Sequence, residues 1–203
     1  MALSHSMMLT SDAELLLDLA VASIEAGIVC GACAPVPALN GREALAAHRA
    51  SFVTVRVNEQ LRGCCGTIHA QRPLAADVWL NAWEAAFADP RFAPFSGAER
   101  HTADVGISLL SPLEPLCVAS EAELLEQLRP GVDGIVIDHD RAGATFLPAV
   151  WRQLPEPEQF LKHLKRKAGL PMQFWSPRIQ VHRYTAYCIG PRPIVDGRDT
   201  SRR

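Results

Sequence analysis

A chain of 203 residues suits one large domain, or two lobes sharing a core, and is too short for a string of independent domains. With 48% hydrophobic and 21% charged residues it reads as an ordinary globular protein and not as a low-complexity one. A net charge of −2 gives no overall pull toward nucleic acid or an anionic membrane.

Residues 1–9 read as a flexible leader. Ser11-Asp12-Ala13-Glu14 is a capping box, and the spacing of Leu15, Leu16, Leu19, Ala20 and Ile24 predicts a helix to about Ala26. Its "LLLDLAVASI" stretch is flanked or interrupted by Asp12, Glu14, Asp18 and Glu25, and no basic segment precedes it, so it is an amphipathic helix and not a targeting signal. No apolar run is long enough to span a bilayer, which makes the cytoplasm the expected compartment and leaves the six cysteines reduced. The Gly- and Pro-bearing stretch from residue 27 onward predicts a loop.

"SFVTVRVNEQLRGCCGTI" predicts a hairpin turning at Asn58-Glu59-Gln60. Pro73 can open a helix over "LAADVWLNAWEAAFAD", with Trp79 and Trp83 stacked at i, i+4, Asp77 and Glu84 toward solvent, and Pro90 as the stop. "ADVGISLL" alternates like a strand until Pro112, and "EAELLEQLRPG" reads as a short helix. "GIVIDHDRAGATFLP" predicts a second hairpin turning around residues 140–143. "PEQFLKHLKRKAGL" is a helix capped by Gly169. "IQVHRYTAYCI" reads as one last strand, and residues 191–203 as a disordered tail. Hairpins mixed with helices argue for an α+β fold with a mixed or antiparallel sheet, in a single domain over residues 10–190.

Six stretches in order resemble one family: "LRGCCGT" at 61–67, "DPRFAPF" at 89–95, "ISLLSPLEPL" at 107–116, "LRPGVDGIVI" at 128–137, "ATFLPAVWRQLPEPEQFLKHLKRKAGLP" at 144–171 and "RYTAY" at 183–187. Together they are similar to the AMMECR family, whose prokaryotic members are called AmmeMemoRadiSam system protein A. The resemblance implies an α+β fold with a main lobe and a smaller intertwined lobe. It also implies association with a Memo-like protein and a radical-SAM protein, but no particular reaction. The family motif reads L-R-G-C-I-G. Cys65 therefore stands at the isoleucine position, and Cys64 is the cysteine the family shares.

Strand alternation places Cys65 toward the core and Cys64 with Arg62 on the opposite face, the latter pair about 7 Å apart along the strand. Three readings of the motif stand. Arg62 pairs with a carboxylate and Cys64 packs as a small hydrophobe. Or Arg62, Gly63, Cys64, Gly66 and Thr67 form a loop that holds a small anionic ligand, the glycines admitting a close approach or positive φ. Or Cys64 is a thiolate nucleophile or acid/base on a small anionic or carbonyl substrate, favoured by the guanidinium. A nucleophile needs a base, and His69, His163 and His182 make no convincing dyad with it.

Cys30-Gly-Ala-Cys33 has the C-x-x-C spacing but follows a helix and lacks a second pair, so neither a metal nor a cofactor is expected. Cys117 and Cys188 read as core residues of strands. Lys162, Lys165 and Arg166 form a basic face on helix 158–168, a solvated face more simply than a nucleic-acid contact. The leading function is an accessory component that binds a ligand or a partner at Arg62–Thr67. The alternatives are an enzyme of the same pathway and, more weakly, nucleic-acid binding through helix 158–168.

Overall fold

The computed structural model of the chain describes residues 10–38 and 42–194. The predicted leader at 1–9 and most of the predicted tail lie outside them. The chain divides into two compact units. One takes the described residues up to Leu110 together with those from Tyr187 onward, and the other takes Ser111–Ala186.

The larger unit begins with α1, Thr10–Cys30. It starts one residue before Ser11, so the predicted capping box lies inside the first turn, and it continues one turn past Ala26. Gly27 does not break it; a Cβ there would stand 2.3 Å from the Phe87 ring, so the position is kept small for packing. The stop is Gly31, at φ +68, where a side chain would be strained. A short helix α2, Glu43–Ala46, follows.

Strands β1, Ser51–Val57, and β2, Gln60–Gly66, form the predicted hairpin. Its turn is tighter than the sequence suggested: Asn58 and Glu59 alone make it, both with positive φ, which matches the twist of paired strands. Helix α3, Leu74–Phe87, opens after Pro73 as expected. A 3-10 helix, Gly97–Thr102, leads into β3, Ala103–Leu110, whose residues 103, 105, 107 and 109 are all buried. The unit's sheet has the order β2-β1-β3-β8, with β1 antiparallel to β2 and to β3. α3 packs on β1 and β2, and α1 on α3. Their apolar faces meet in one core, with Leu16, Ile24, Val53, Val55, Leu74, Val78, Val105 and Ile107 each at most 1% exposed.

The smaller unit holds β4, Glu114–Leu116; α4, Glu121–Gln127; β5, Gly134–His139; β6, Ala142–Phe146; a 3-10 turn, Pro148–Arg152; α5, Pro157–Lys167; and β7, Gln180–Tyr184. Its sheet runs β4-β7-β5-β6, all antiparallel. α5 packs on β6, and Trp151 stacks on Phe160 at 3.8 Å between ring centroids. Gly169 follows α5 at φ +77, as predicted.

Three expectations need correction here. The predicted last strand is two strands in two sheets: β7 ends at Tyr184, and β8, Ala186–Pro193, joins the larger unit's sheet. β8 also carries ordered strand to Pro193, into the segment read as a tail. Between the two, Thr185 accepts a bond from the Ser111 N–H and donates its own N–H to Ser111 Oγ, each at 2.9 Å. Finally, Lys165 is not on a solvated face. Its side chain is 1% exposed, paired with Glu121 at 2.7 Å and donating to the Met172 carbonyl at 3.1 Å.

Candidate functional site

β2 is an edge strand, so half of its backbone N–H groups face away from β1 and need partners elsewhere. The Cys64 N–H finds one in Asp89 Oδ2 at 3.0 Å. Asp89 lies just past the end of α3, in the "DPRFAPF" stretch. Its carboxylate also takes a two-pronged contact from Arg91, Nε to Oδ1 at 2.9 Å and Nη2 to Oδ2 at 2.6 Å, and the Arg91 N–H at 3.1 Å. The Arg91 bonds, aided by the Cys64 and Arg91 N–H groups, outweigh burial and hold the Asp89 carboxyl well below the usual range. Arg91 Nη1 has no protein hydrogen-bond partner among the described residues, and the Arg91 side chain is 55% exposed.

The strand register slips beside Arg62: Val55 pairs with Gly63 and Arg56 with Leu61, leaving Arg62 as the extra residue of a bulge. Strict alternation therefore fails at the residue whose face was to be read from it. Arg62 sends Nε to Glu99 Oε1 at 2.6 Å and Nη2 to Glu99 Oε2 at 3.2 Å, with a further bond to the Pro94 carbonyl. Its guanidinium lies 5.8 and 5.9 Å from the Phe92 and Phe95 ring centroids. Burial alone would raise the Glu99 carboxyl, but Arg62 and the Ser96 N–H outweigh it and hold it below its ordinary value.

Both motif glycines have a packing reason. A Cβ at Gly63 would lie 1.8 Å from the Ala85 carbonyl oxygen of α3, and one at Gly66 would lie 2.3 Å from the Phe52 ring. Neither has positive φ. Thr67 belongs to a separate knot. Its Oγ1 donates to Asp77 Oδ1 at 2.8 Å, and Asp77 also accepts from Ser51 N–H and Oγ, Arg72 Nε and Asn81 Nδ2. Asp77 was placed toward solvent; its side chain is 1% exposed.

The two adjacent thiols have opposite surroundings. Cys64, half-buried, receives the Thr54 hydroxyl at 3.5 Å from its sulfur. The Arg91 guanidinium lies within electrostatic reach of Cys64; its hold on its proton is raised chiefly by the bonds to Asp89, against burial. Cys65 packs against the apolar core, and its sulfur donates to Glu84 Oε2 at 2.9 Å. Burial first, then the Glu84 bond and charge, push the Cys65 thiol up to about 12. Glu84 is thus half-buried against the motif and not on a solvent face.

The other singled-out residues disperse. His69 is exposed beyond the end of β2, while His163 and His182 lie on α5 and β7 of the smaller unit. Cys30 is exposed at the end of α1 and Cys33 is half-buried. Cys117 and Cys188, read as core, are exposed. Trp83 meets Phe87, at 5.8 Å, in place of the stack expected with Trp79. Among the described residues no group of three or more His, Cys, Asp or Glu is arranged to hold a metal, and no helix is long and apolar enough to cross a membrane. A cavity of about 480 Å³ in the smaller unit is lined by Leu125, Glu126, Glu156, Pro157, Glu158 and Gln159, none of them in the motif.

Sequence reasoning missed Glu99 and Glu84. The first was signalled: Ser96 and Glu99 have capping-box spacing, and the Ser96 N–H does donate to Glu99. Glu84 had no comparable signal.

A sequence model of the AMMECR1 family matches residues 17–189. A protein of Methanothermobacter thermautotrophicus is 38% identical over 141 residues, covering 68% of this chain and 73% of its own length. One from Aquifex aeolicus is 34% identical over 134 residues, covering 63% and 66%. The crystal structure of an uncharacterised protein from Pyrococcus horikoshii superposes with a TM-score of 0.81 at 27% identity, over 89% of this chain and 96% of that one.

Proposed function

The chain belongs to the AMMECR1 family, and on that premise we propose that it is a binding component. Arg62, Gly63, Cys64, Gly66 and Thr67, with Arg91 beside them, form the edge that takes a small anionic ligand or a partner protein. Its partners in this reading are a Memo-like protein and a radical-SAM protein. One observation carries it: Arg91 is fixed by two bonds to Asp89, yet its Nη1 has no hydrogen-bond partner among the described residues, on a side chain more than half exposed. A guanidinium so held loses little freedom when it meets a carboxylate or phosphate.

The test is association of the full chain with purified Memo-like and radical-SAM proteins, followed by calorimetry. Arg91→Glu is expected to weaken the complex by about tenfold or more through charge reversal. The reading is overturned if neither protein binds and neither phosphate nor a small carboxylate raises the melting temperature.

A second reading has one observation in its favour, the Thr54 hydroxyl donating to the Cys64 sulfur at 3.5 Å, with the Arg91 guanidinium within electrostatic reach. In it the protein is an enzyme with Cys64 as nucleophile or acid/base. It requires Cys64 to be alkylated at pH 7 faster than exposed Cys30, and more slowly after Arg91→Ala. Alkylation only on unfolding would remove it.

A further inference from the structure

The vicinal thiols differ in a way that neither reading uses. At Cys64 the sulfur receives a donor, the Thr54 hydroxyl at 3.5 Å, and the Arg91 guanidinium is within electrostatic reach. Its backbone is fixed by Asp89. At Cys65 the sulfur faces a carboxylate oxygen at 2.9 Å, in contact with the apolar core. An anion forming on the first sulfur meets hydrogen-bond donors, and one forming on the second meets a negative charge. The same carboxylate also acts on Cys33, whose thiol is pushed up first by burial and then by Glu84.

We propose that Cys64 is a site of oxidation by a hydroperoxide, and that Glu84 confines the reaction to Cys64 by engaging the adjacent Cys65 thiol as a hydrogen-bond donor. In the step, the Cys64 thiol loses its proton and the sulfur attacks the distal peroxide oxygen. An S–O bond forms as the O–O bond breaks. The sulfur is oxidised by two electrons to a sulfenic acid, and the peroxide leaves as an alcohol, or as water from hydrogen peroxide, carrying the proton the thiol lost. The Thr54 hydroxyl is placed to hold the product, whose added oxygen is a stronger acceptor than sulfur. Glu84 touches no reacting atom and is a positioning residue. This inference concerns the thiols and stands whether or not the partner-binding reading holds.

The experiment treats the full-length protein with hydrogen peroxide in the presence of dimedone, which traps sulfenic acids. Fragment mass spectra then assign the adduct to Cys64 or Cys65. Cys64 is expected to be trapped about tenfold faster than Cys65, and faster than exposed Cys117, which reports the rate of an unassisted thiol. Cys65 stays untrapped in Cys64→Ser. Glu84→Gln raises trapping at Cys65 about tenfold while leaving Cys64 trapped, and Glu84→Asp restores protection, which a merely structural role would not do. A cooperative urea-unfolding transition like that of the unaltered protein reports that the Glu84 variants fold. Equal trapping of the two residues in the unaltered protein overturns the proposal, as does Cys64 reacting no faster than Cys117. Should Glu84→Gln not fold, labelling of Cys65 in Cys64→Ser decides alone: if it labels there, the proposal is wrong.

Discussion

Asp77 in the larger unit and Lys165 in the smaller are buried to the same degree, each with 1% of its side chain exposed. They are satisfied very differently. Asp77 gathers Ser51, Thr67, Arg72 and Asn81 from β1, the end of β2, the following loop and its own helix. Lys165 has one carboxylate, itself partly exposed, and one carbonyl. A buried ion with two partners is close to exchangeable for an apolar side chain. One that closes many donors at once is not, because its loss leaves each donor without a partner. The lesson is local: the larger unit uses carboxylates to fix backbone around the motif, and Asp89 repeats the device at Cys64.

The largest expected effect is from Asp77→Ala, about 4 kcal/mol lost in urea unfolding, since several buried donors are orphaned together. Gly63→Ala follows at about 3 kcal/mol, because the Ala85 carbonyl oxygen is backbone and cannot step aside. Asp89→Asn is expected to cost about 2 kcal/mol at pH 7. That cost depends on pH with a defined sign. The Asp89 carboxyl is lower in the folded state than in the unfolded chain, so its contribution is full above the ordinary aspartate range near pH 4 and fades as pH falls toward the depressed folded value. Unfolding curves of the two proteins should converge as the medium is acidified below pH 4, and a constant gap would contradict the assignment. Smallest is Lys165→Met, within about 1 kcal/mol of the parent, because Glu121 can turn to water. A loss there as large as that of Asp77→Ala would break the comparison.

Element types were readable wherever periodicity was strong. β3 alternates cleanly, α3 opens at its proline, and both hairpins fall where β-branched runs are split by polar residues. The site was less readable, for three physical reasons. A single bulge moved Arg62 out of the alternation used to assign its face. The apolar face of α3 is broad enough to take Asp77, which accepts from Asn81 one turn on and from Ser51, so a carboxylate read as facing solvent is buried. And Glu84 meets Cys65 only because Gly63 lets the helix backbone down onto the strand, a contact set in space and invisible in spacing. Lys165 was misplaced by the opposite error, because a basic run was taken as one solvated face when Glu121, far away in sequence, was waiting for it.

The crossed bonds between Ser111 and Thr185 have a consequence for the chain as a piece of architecture. They bring together the two points where the polypeptide leaves β3 and returns to β8, which are neighbours in one sheet. The smaller unit is therefore an insertion with adjoining ends, spliced into a hairpin connection of its host. A short turn in its place would keep the order of the host sheet, and the inserted piece could accept changes in length without altering the register of β2, where the motif lies.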